Sequence, residues 1–269
     1  MKTFREKLEK LYNSFDFDEA VKNDPIKFPK RFSNPLDIEI SSLISSSFAY
    51  GNIKCFCDFL EKLFGIMGKH PADFILNFNP AKLIKELNIR YRFSSINDIV
   101  AFLYVIQFLL RKNSSLQVLF LNQQALTEKH FASYPIISGI SNFVKEALKA
   151  DLSLIYGKDV KPRGLLHFFP NPKKGSPCKR INLFLRWMVR KSDVDFGLWN
   201  TIKPSQLIIP LDIHIFNVSK ELEITQRNTQ TLKTAIDITE FFKKINPEDP
   251  LKYDFVLCHN HMKKFILLE

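Results

Sequence analysis

Apolar residues along this chain recur mostly at three- and four-residue intervals, the signature of helices with one buried face. Leu36, Ile40, Leu43 and Ile44 share such a face, and Asn34-Pro35 ahead of them supplies a cap and a proline suited to the first turn. A second helix is predicted from just after Gly51-Asn52 to about Met67, with Phe56, Leu60 and Phe64 turned inward and Gly68 and Pro71 as its stop. The same spacing predicts helices over 95–110, 139–154, 234–245 and 250–265, and an amphipathic helix at the N-terminus. Strict alternation is rare. Residues 205–209 offer one short strand, confined by Pro204 and Pro210. The segment 162–177 holds four prolines and two glycines and is expected to be a surface loop. The class expected is therefore all-α.

After that loop, Ser176 is predicted to cap a helix with Pro177 in its first turn, running over 178–190. Ile181, Phe184, Leu185 and Met188 recur at helical spacing and should face a core. Lys179, Asn182, Arg186 and Arg190 fall on the opposite face. Lysine in a first turn opposes the helix dipole, and an anion held by the free amides there would offset that cost. A solvated polar face explains Arg186 and Arg190 equally well.

Charge sharpens this picture. The 269 residues carry 39 basic and 28 acidic side chains, a formal charge of +11 that favours polyanionic partners. Nine of those basic residues lie in 161–191, where no acidic residue occurs. The most apolar run, 102–110, is far short of the ~20 residues that span a bilayer, so no membrane association is expected. Four cysteines in a chain of this length fit a reducing cytoplasm and not a disulfide scaffold. Cys55-Phe56-Cys57 and Cys258-His259-Asn260-His261 contain metal-capable side chains, but adjacent positions on a helix diverge, and no metal or other cofactor is expected. Arg90-Tyr91-Arg92-Phe93 reads either as a nucleic-acid contact or as packing at a helix–loop boundary.

Cys178-Lys179-Arg180-Ile181-Asn182-Leu183-Phe184-Leu185 resembles the end of the helix-hairpin-helix element in DNA glycosylases of the endonuclease III type. Leu211-Asp212-Ile213-His214-Ile215-Phe216-Asn217-Val218 is similar to the segment bearing their catalytic aspartate, and Asn34-Pro35-Leu36-Asp37-Ile38-Glu39-Ile40 to their first core helix. The chain as a whole resembles more closely an uncharacterised bacterial family, domain of unknown function 2400, in the runs 180–190, 194–199 and 204–212. The glycosylase resemblance implies a two-lobed helical unit over 1–269. A first lobe would occupy mainly 34–160, a hairpin-like and catalytic region 161–232, and C-terminal helices returning to the core 233–269.

It also implies roles. Lys179 would be the amine nucleophile and Asp212 the catalytic carboxylate. Lys173, Lys174, Gly175, Ser176, Arg180, Asn182, Arg186 and Arg190 would hold the DNA backbone. Ser47, Tyr50 and His214 would give pocket or structural support, Ser47 standing where such enzymes carry a DNA-inserting glutamine. The hairpin is atypical: in Lys173-Lys174-Gly175-Ser176-Pro177 only Gly175 keeps the usual turn, and 194–206 lengthens the gap to Asp212 and should loop out. No four-cysteine iron–sulfur loop follows Asp212. The expectation is a monomeric, cytoplasmic protein that binds double-stranded DNA, as a DNA glycosylase with or without AP lyase activity. The alternatives are a catalytically silent DNA-binding protein and an RNA-binding or RNA-modifying one.

Overall fold

The computed structural model describes residues 2–121, 134–192 and 194–262. Among these the regular structure is helical, and β-pairing is limited to two isolated bridges, Tyr91 with Ser94 and Lys191 with Phe196. The chain divides into two compact units. An inner unit covers Asn23–Asn171, and an outer unit is assembled from the residues up to Lys22 and those from Pro172 onward. The outer unit opens with α1 (Lys2–Asn13) and α2 (Phe17–Val21). The inner unit holds α3 (Pro35–Phe48), α4 (Ile53–Met67), α5 (Pro71–Asn77), α6 (Pro80–Glu86), α7 (Ile96–Lys112), α8 (Gln117–Phe120), α9 (Pro135–Ala147), α10 (Ser153–Tyr156) and α11 (Arg163–Leu166). The chain then returns to the outer unit with α12 (Lys179–Val189), α13 (Ile213–Glu221), α14 (Leu232–Ile245) and α15 (Asp254–Met262).

In the inner unit, Asn34 caps α3 as its sequence predicts, with Oδ1 accepting from the Leu36 and Asp37 amides. Every residue of α3 from Asp37 to Phe48 is buried, so it has no wet face. Its two carboxylates serve other helices. Asp37 accepts from the Ala72 amide at 2.7 Å in the first turn of α5, and Glu39 takes the Leu116 amide and the Ser115 hydroxyl, both at 2.7 Å, ahead of α8. Free helix-start amides in a core need such acceptors. Around them α7 packs against α5, α6, α9, α10 and α11. Helix α4 runs from its Asn52 cap to Gly68 and buries Phe56, Leu60 and Phe64 as expected.

Three expectations give way. The segment 139–154 is not one helix: α9 ends at Ala147 and α10 follows after a break. The proline-rich 162–177 is only partly a surface loop, because it contains α11 and buries Leu165, Phe168 and Phe169. Phe168 stacks on Phe102 of α7 at 4.5 Å, so aromatic burial outweighs the local turn signals. The strand expected at 205–209 is absent. Pro204–Gln206 forms a 3-10 turn, and Leu207 to Leu211 continue as a buried run in which the Ile209 amide bonds to the Thr239 hydroxyl of α14 at 3.0 Å. Of the predicted 250–265, Asp254–Met262 is helical, 250–253 form a turn ahead of it, and 263–265 lie outside the described residues.

The outer unit joins both chain ends. Glu9 of α1 accepts from Lys252 at 2.7 Å and from the Tyr253 hydroxyl at 2.6 Å. Phe15 and Phe17 pack on Phe255, and Phe4 meets Phe241 edge-on. Helix α13 lies against α15.

Candidate functional site

The basic loop enters the outer unit through a 3-10 turn, Pro172–Lys174, in which Lys173 and Lys174 are exposed. Gly175 follows at φ +82, a conformation open to glycine, and is exposed, while its carbonyl accepts from the Leu232 amide at 2.9 Å. The cap of α12 is not Ser176, as predicted, but Cys178 in a left-handed conformation. Ser176 instead takes the Cys178 amide at 3.2 Å, closing a local turn, so the helix starts later and Lys179 becomes its first residue. Ser176, Lys179 and Arg180 are half-buried. Burial pushes the Cys178 thiol up to about 12, which removes it as a thiolate nucleophile at neutral pH.

The inward face of α12 is as expected, with Ile181, Phe184, Leu185 and Met188 buried. The polar face is not the solvated surface that its period suggested. Asn182 is buried, and its amide donates to the Pro177 carbonyl at 2.9 Å, which pins the loop to the helix. Its Oδ1 is buried without a partner. Arg186 and Arg190 are each only 3% exposed and lie among carboxylates. Arg186 reaches Asp195 at 3.2 Å through Nε and Asp254 at 2.5 Å through Nη1. Arg190 contacts Asp195 through Nη1 and grips Asp249 with two bonds of 2.8 Å. Asn182, Arg186 and Arg190 are therefore withdrawn from the expected DNA-facing set, because burial and acid partners occupy them.

Asp195 arrives on the segment expected to loop out. That segment folds back onto α12: the Phe196 amide donates to the Trp187 carbonyl at 2.9 Å and the Trp199 amide to the Met188 carbonyl at 2.8 Å. Val194, Trp199 and Ile202 are buried. Trp199 meets Phe184 edge-on at 5.2 Å.

Lys179 and Asp212 come together. Asp212 caps α13, its Oδ1 accepting from the Ile215 amide at 2.8 Å. Its Oδ2 faces the Lys179 ammonium at 3.5 Å, with side-chain exposures of 33% for the lysine and 12% for the acid. The Cys258 thiol also donates to Oδ2, at 3.6 Å. The first residue of α12 and the cap of α13 thus meet at one carboxylate. Beside it, the His214 and His261 Nδ1 atoms are 3.1 Å apart. One ring must offer N–H and the other a lone pair. Burial first, then the neighbouring charges of His261, Lys179 and His259, lower the His214 pKa against the pull of Asp212, so His214 is neutral at neutral pH.

Asp254, Cys258 and His261 recur at i, i+4 and i+7 and form one stripe along α15. The stripe touches Arg186, Asp212 and His214 in turn. Three carboxylates (Asp195, Asp249 and Asp254) surround two guanidiniums, leaving one acid in excess. Burial pushes Asp254 up to about 6 against the pull of Arg186, and the Asp212 charge adds to the rise. Sequence reasoning noticed Cys258 and His261 only as metal-capable groups. Their shared spacing on one helix face was the signal that they act together. Asp254 shares that spacing, and Asp195 carried no comparable signal.

Among the described residues, no group of three or more His, Cys, Asp or Glu side chains is arranged to hold a metal. No described helix is long and apolar enough to cross a membrane. Ser47 and Tyr50 belong to the inner unit. Ser47 is buried in the last turn of α3, so it is not displayed as an inserting residue, and Tyr50 sits in an aromatic cluster with Tyr91, Phe93 and His167.

A family model described as a protein of unknown function, DUF2400, matches residues 24–263. The chain belongs to the DUF2400 family. The DUF2400 match takes in both members of the Lys179–Asp212 pair, the buried ion-pair network and the α15 stripe, and leaves α1 and α2 outside it. No curated protein and no solved structure matches the chain.

Proposed function

We propose that this protein acts on DNA as a base-excising enzyme of the glycosylase and AP lyase kind, with Lys179 as nucleophile and Asp212 as its acid partner. The observation that carries this reading is the 3.5 Å approach of the Lys179 amine to Asp212 Oδ2, on a part-exposed lysine next to the exposed Lys173-Lys174-Gly175 turn. The exposed lysines of that turn, with half-buried Arg180, suit a phosphate backbone. The relation to helix-hairpin-helix glycosylases belongs to this proposal and rests on the residues around Lys179 and Asp212. What precedes α12 is a 3-10 turn in place of a full hairpin helix.

The chemistry follows from the pair. Asp212 takes the proton that the Lys179 ammonium must shed, and the neutral amine attacks C1′ of a nucleotide turned out of the stack. The base leaves with the electrons of the glycosidic bond and gains a proton. Opening of the sugar ring leaves the lysine joined to C1′ as an imine. Loss of the C2′ proton then expels the 3′ phosphate, or water returns the amine and an abasic site.

Borohydride trapping tests this directly, because hydride reduces the imine to a stable secondary amine. The wild type is expected to form a covalent protein–DNA adduct on a panel of abasic and modified duplexes, and Lys179→Ala to form none. Failure to trap on any abasic or modified duplex, with duplex binding retained, overturns the enzyme reading in favour of a silent DNA-binding protein. Preference for structured RNA over duplex DNA in competition favours the RNA alternative.

A further inference from the structure

The geometry points to a second site, wholly within the inner unit: a stacking platform for an unpaired nucleic-acid base, built from Tyr50, Arg92, Phe93 and His167. Phe93 is 58% exposed, the second most exposed large apolar side chain among those described. It is nevertheless held in place. Its ring stacks on Tyr50 with centroids 5.5 Å apart at 26°, and His167 stands perpendicular to it at 4.7 Å. Tyr50 is fixed in turn by Tyr91, whose hydroxyl donates to the Tyr50 carbonyl, and by a 3.3 Å hydroxyl contact with Ser94.

The turn that presents Phe93 carries a conformational cost. Arg92 adopts φ +53, which a residue with a long side chain rarely takes. That conformation lays its guanidinium toward the Tyr50 ring, 6.0 Å from the centroid. The space it fills exists because position 51 is glycine, where an added Cβ would come within 2.2 Å of Arg92 Nη1. The turn at Arg92, held between buried Tyr91 and Ser94, the glycine at 51 and an exposed aromatic ring converge on one spot.

Charge selects the occupant. The turn that presents Phe93 carries Arg90 and Arg92, whereas Lys54 and Lys161 of the adjoining segments are already paired with Asp58 and Asp159. Arg90 and Arg92 are exposed on either side of Tyr91, and Arg163 lies one helical turn before His167, whose amide bonds to its carbonyl. A flat, pre-ordered ring flanked by arginines fits a base attached to a phosphate chain, because every base offers a π-face and every linkage a negative charge. An apolar protein surface would gain nothing from the arginines. The proposal is independent of Lys179 and stands whether or not the chain excises bases.

The test compares a short fluorescent oligothymidylate with a strand of equal length and charge made of tetrahydrofuran spacers, which lack both a base and the C1′ aldehyde that Lys179 could capture, by anisotropy at fixed salt. Stacking of one base is worth about 5- to 150-fold in affinity, so the wild type is expected to prefer the base-bearing strand by at least about fivefold. Phe93→Ala should reduce that preference to within about twofold of unity, while Phe93→Trp keeps it. Lys179→Ala should leave it intact. The platform is overturned if the wild type binds both strands alike, or if Phe93→Ala retains the preference. Unfolding curves for Phe93→Ala matching the wild type confirm that an exposed ring, and not the fold, was removed.

Discussion

The two ends of the polar face of α12 began as one pattern and met opposite fates. At its start, Lys179 is part-exposed and paired with a single carboxylate that also caps a helix. Two and three turns later, Arg186 and Arg190 are buried among Asp195, Asp249 and Asp254. Helical period places all of them on one side but says nothing about what covers that side. The cover comes from the 194–206 segment, folded back through Trp187 and Met188, and from α15. A run of cations can therefore be part-exposed at one end and buried scaffold at the other. Lysine and arginine are divided as their chemistry suggests, since a planar guanidinium satisfies several carboxylates at once and an ammonium can shed its proton.

The contrast is broken most forcefully at the buried end. Arg186→Ala leaves three carboxylates around one guanidinium and should lower unfolding stability by about 3–5 kcal/mol, read by denaturant titration. Arg186→Lys should recover little of this, because Nε and Nη1 serve different acids. Next comes pH. Asp254 holds its proton more tightly folded than unfolded, so its contribution is full below about pH 4 and is lost as pH rises through about 6. Asp254→Asn removes that titration. Its stability relative to the wild type should climb between pH 4.5 and 7 by roughly 2–3 kcal/mol, and parallel pH profiles for the two proteins would contradict the shift. A smaller effect belongs to the other end. Asp212→Ala removes the α13 cap at a cost of about 1 kcal/mol, whereas Asp212→Asn keeps the cap to within a few tenths and loses only the charge. Equal destabilisation by both would show that the ion pair, not the cap, dominates there. Smallest of all, Lys179→Ala should change stability by less than about 1 kcal/mol, because a part-exposed pair is screened by water.

Much of this architecture was legible where local chemistry decides the outcome. Asn34 and Asn52 are read correctly as helix starts because a cap is a contact between near neighbours. The Lys179–Asp212 approach was expected from resemblance and not from spacing, since a separation of 33 positions fixes no distance. Exposure was the least legible property. Nothing local distinguishes Arg186 from a solvated arginine when its partners are 9 and 68 residues away. The same blindness hid Phe168 and Phe169 inside a proline-rich stretch, and turned Leu207 to Leu211 from a strand candidate into a buried connection held by Thr239.

Helix α1 is made before every other helix described above, yet Glu9 waits 243 and 244 residues for Lys252 and Tyr253. The contacts internal to Asn23–Asn171 are all present in the nascent chain well before that. Synthesis thus imposes an order on maturation, with the inner unit able to condense first. The Lys179–Asp212 pair acquires its Cys258 neighbour only once α15 has been made, so the surroundings of that pair are completed after the inner unit.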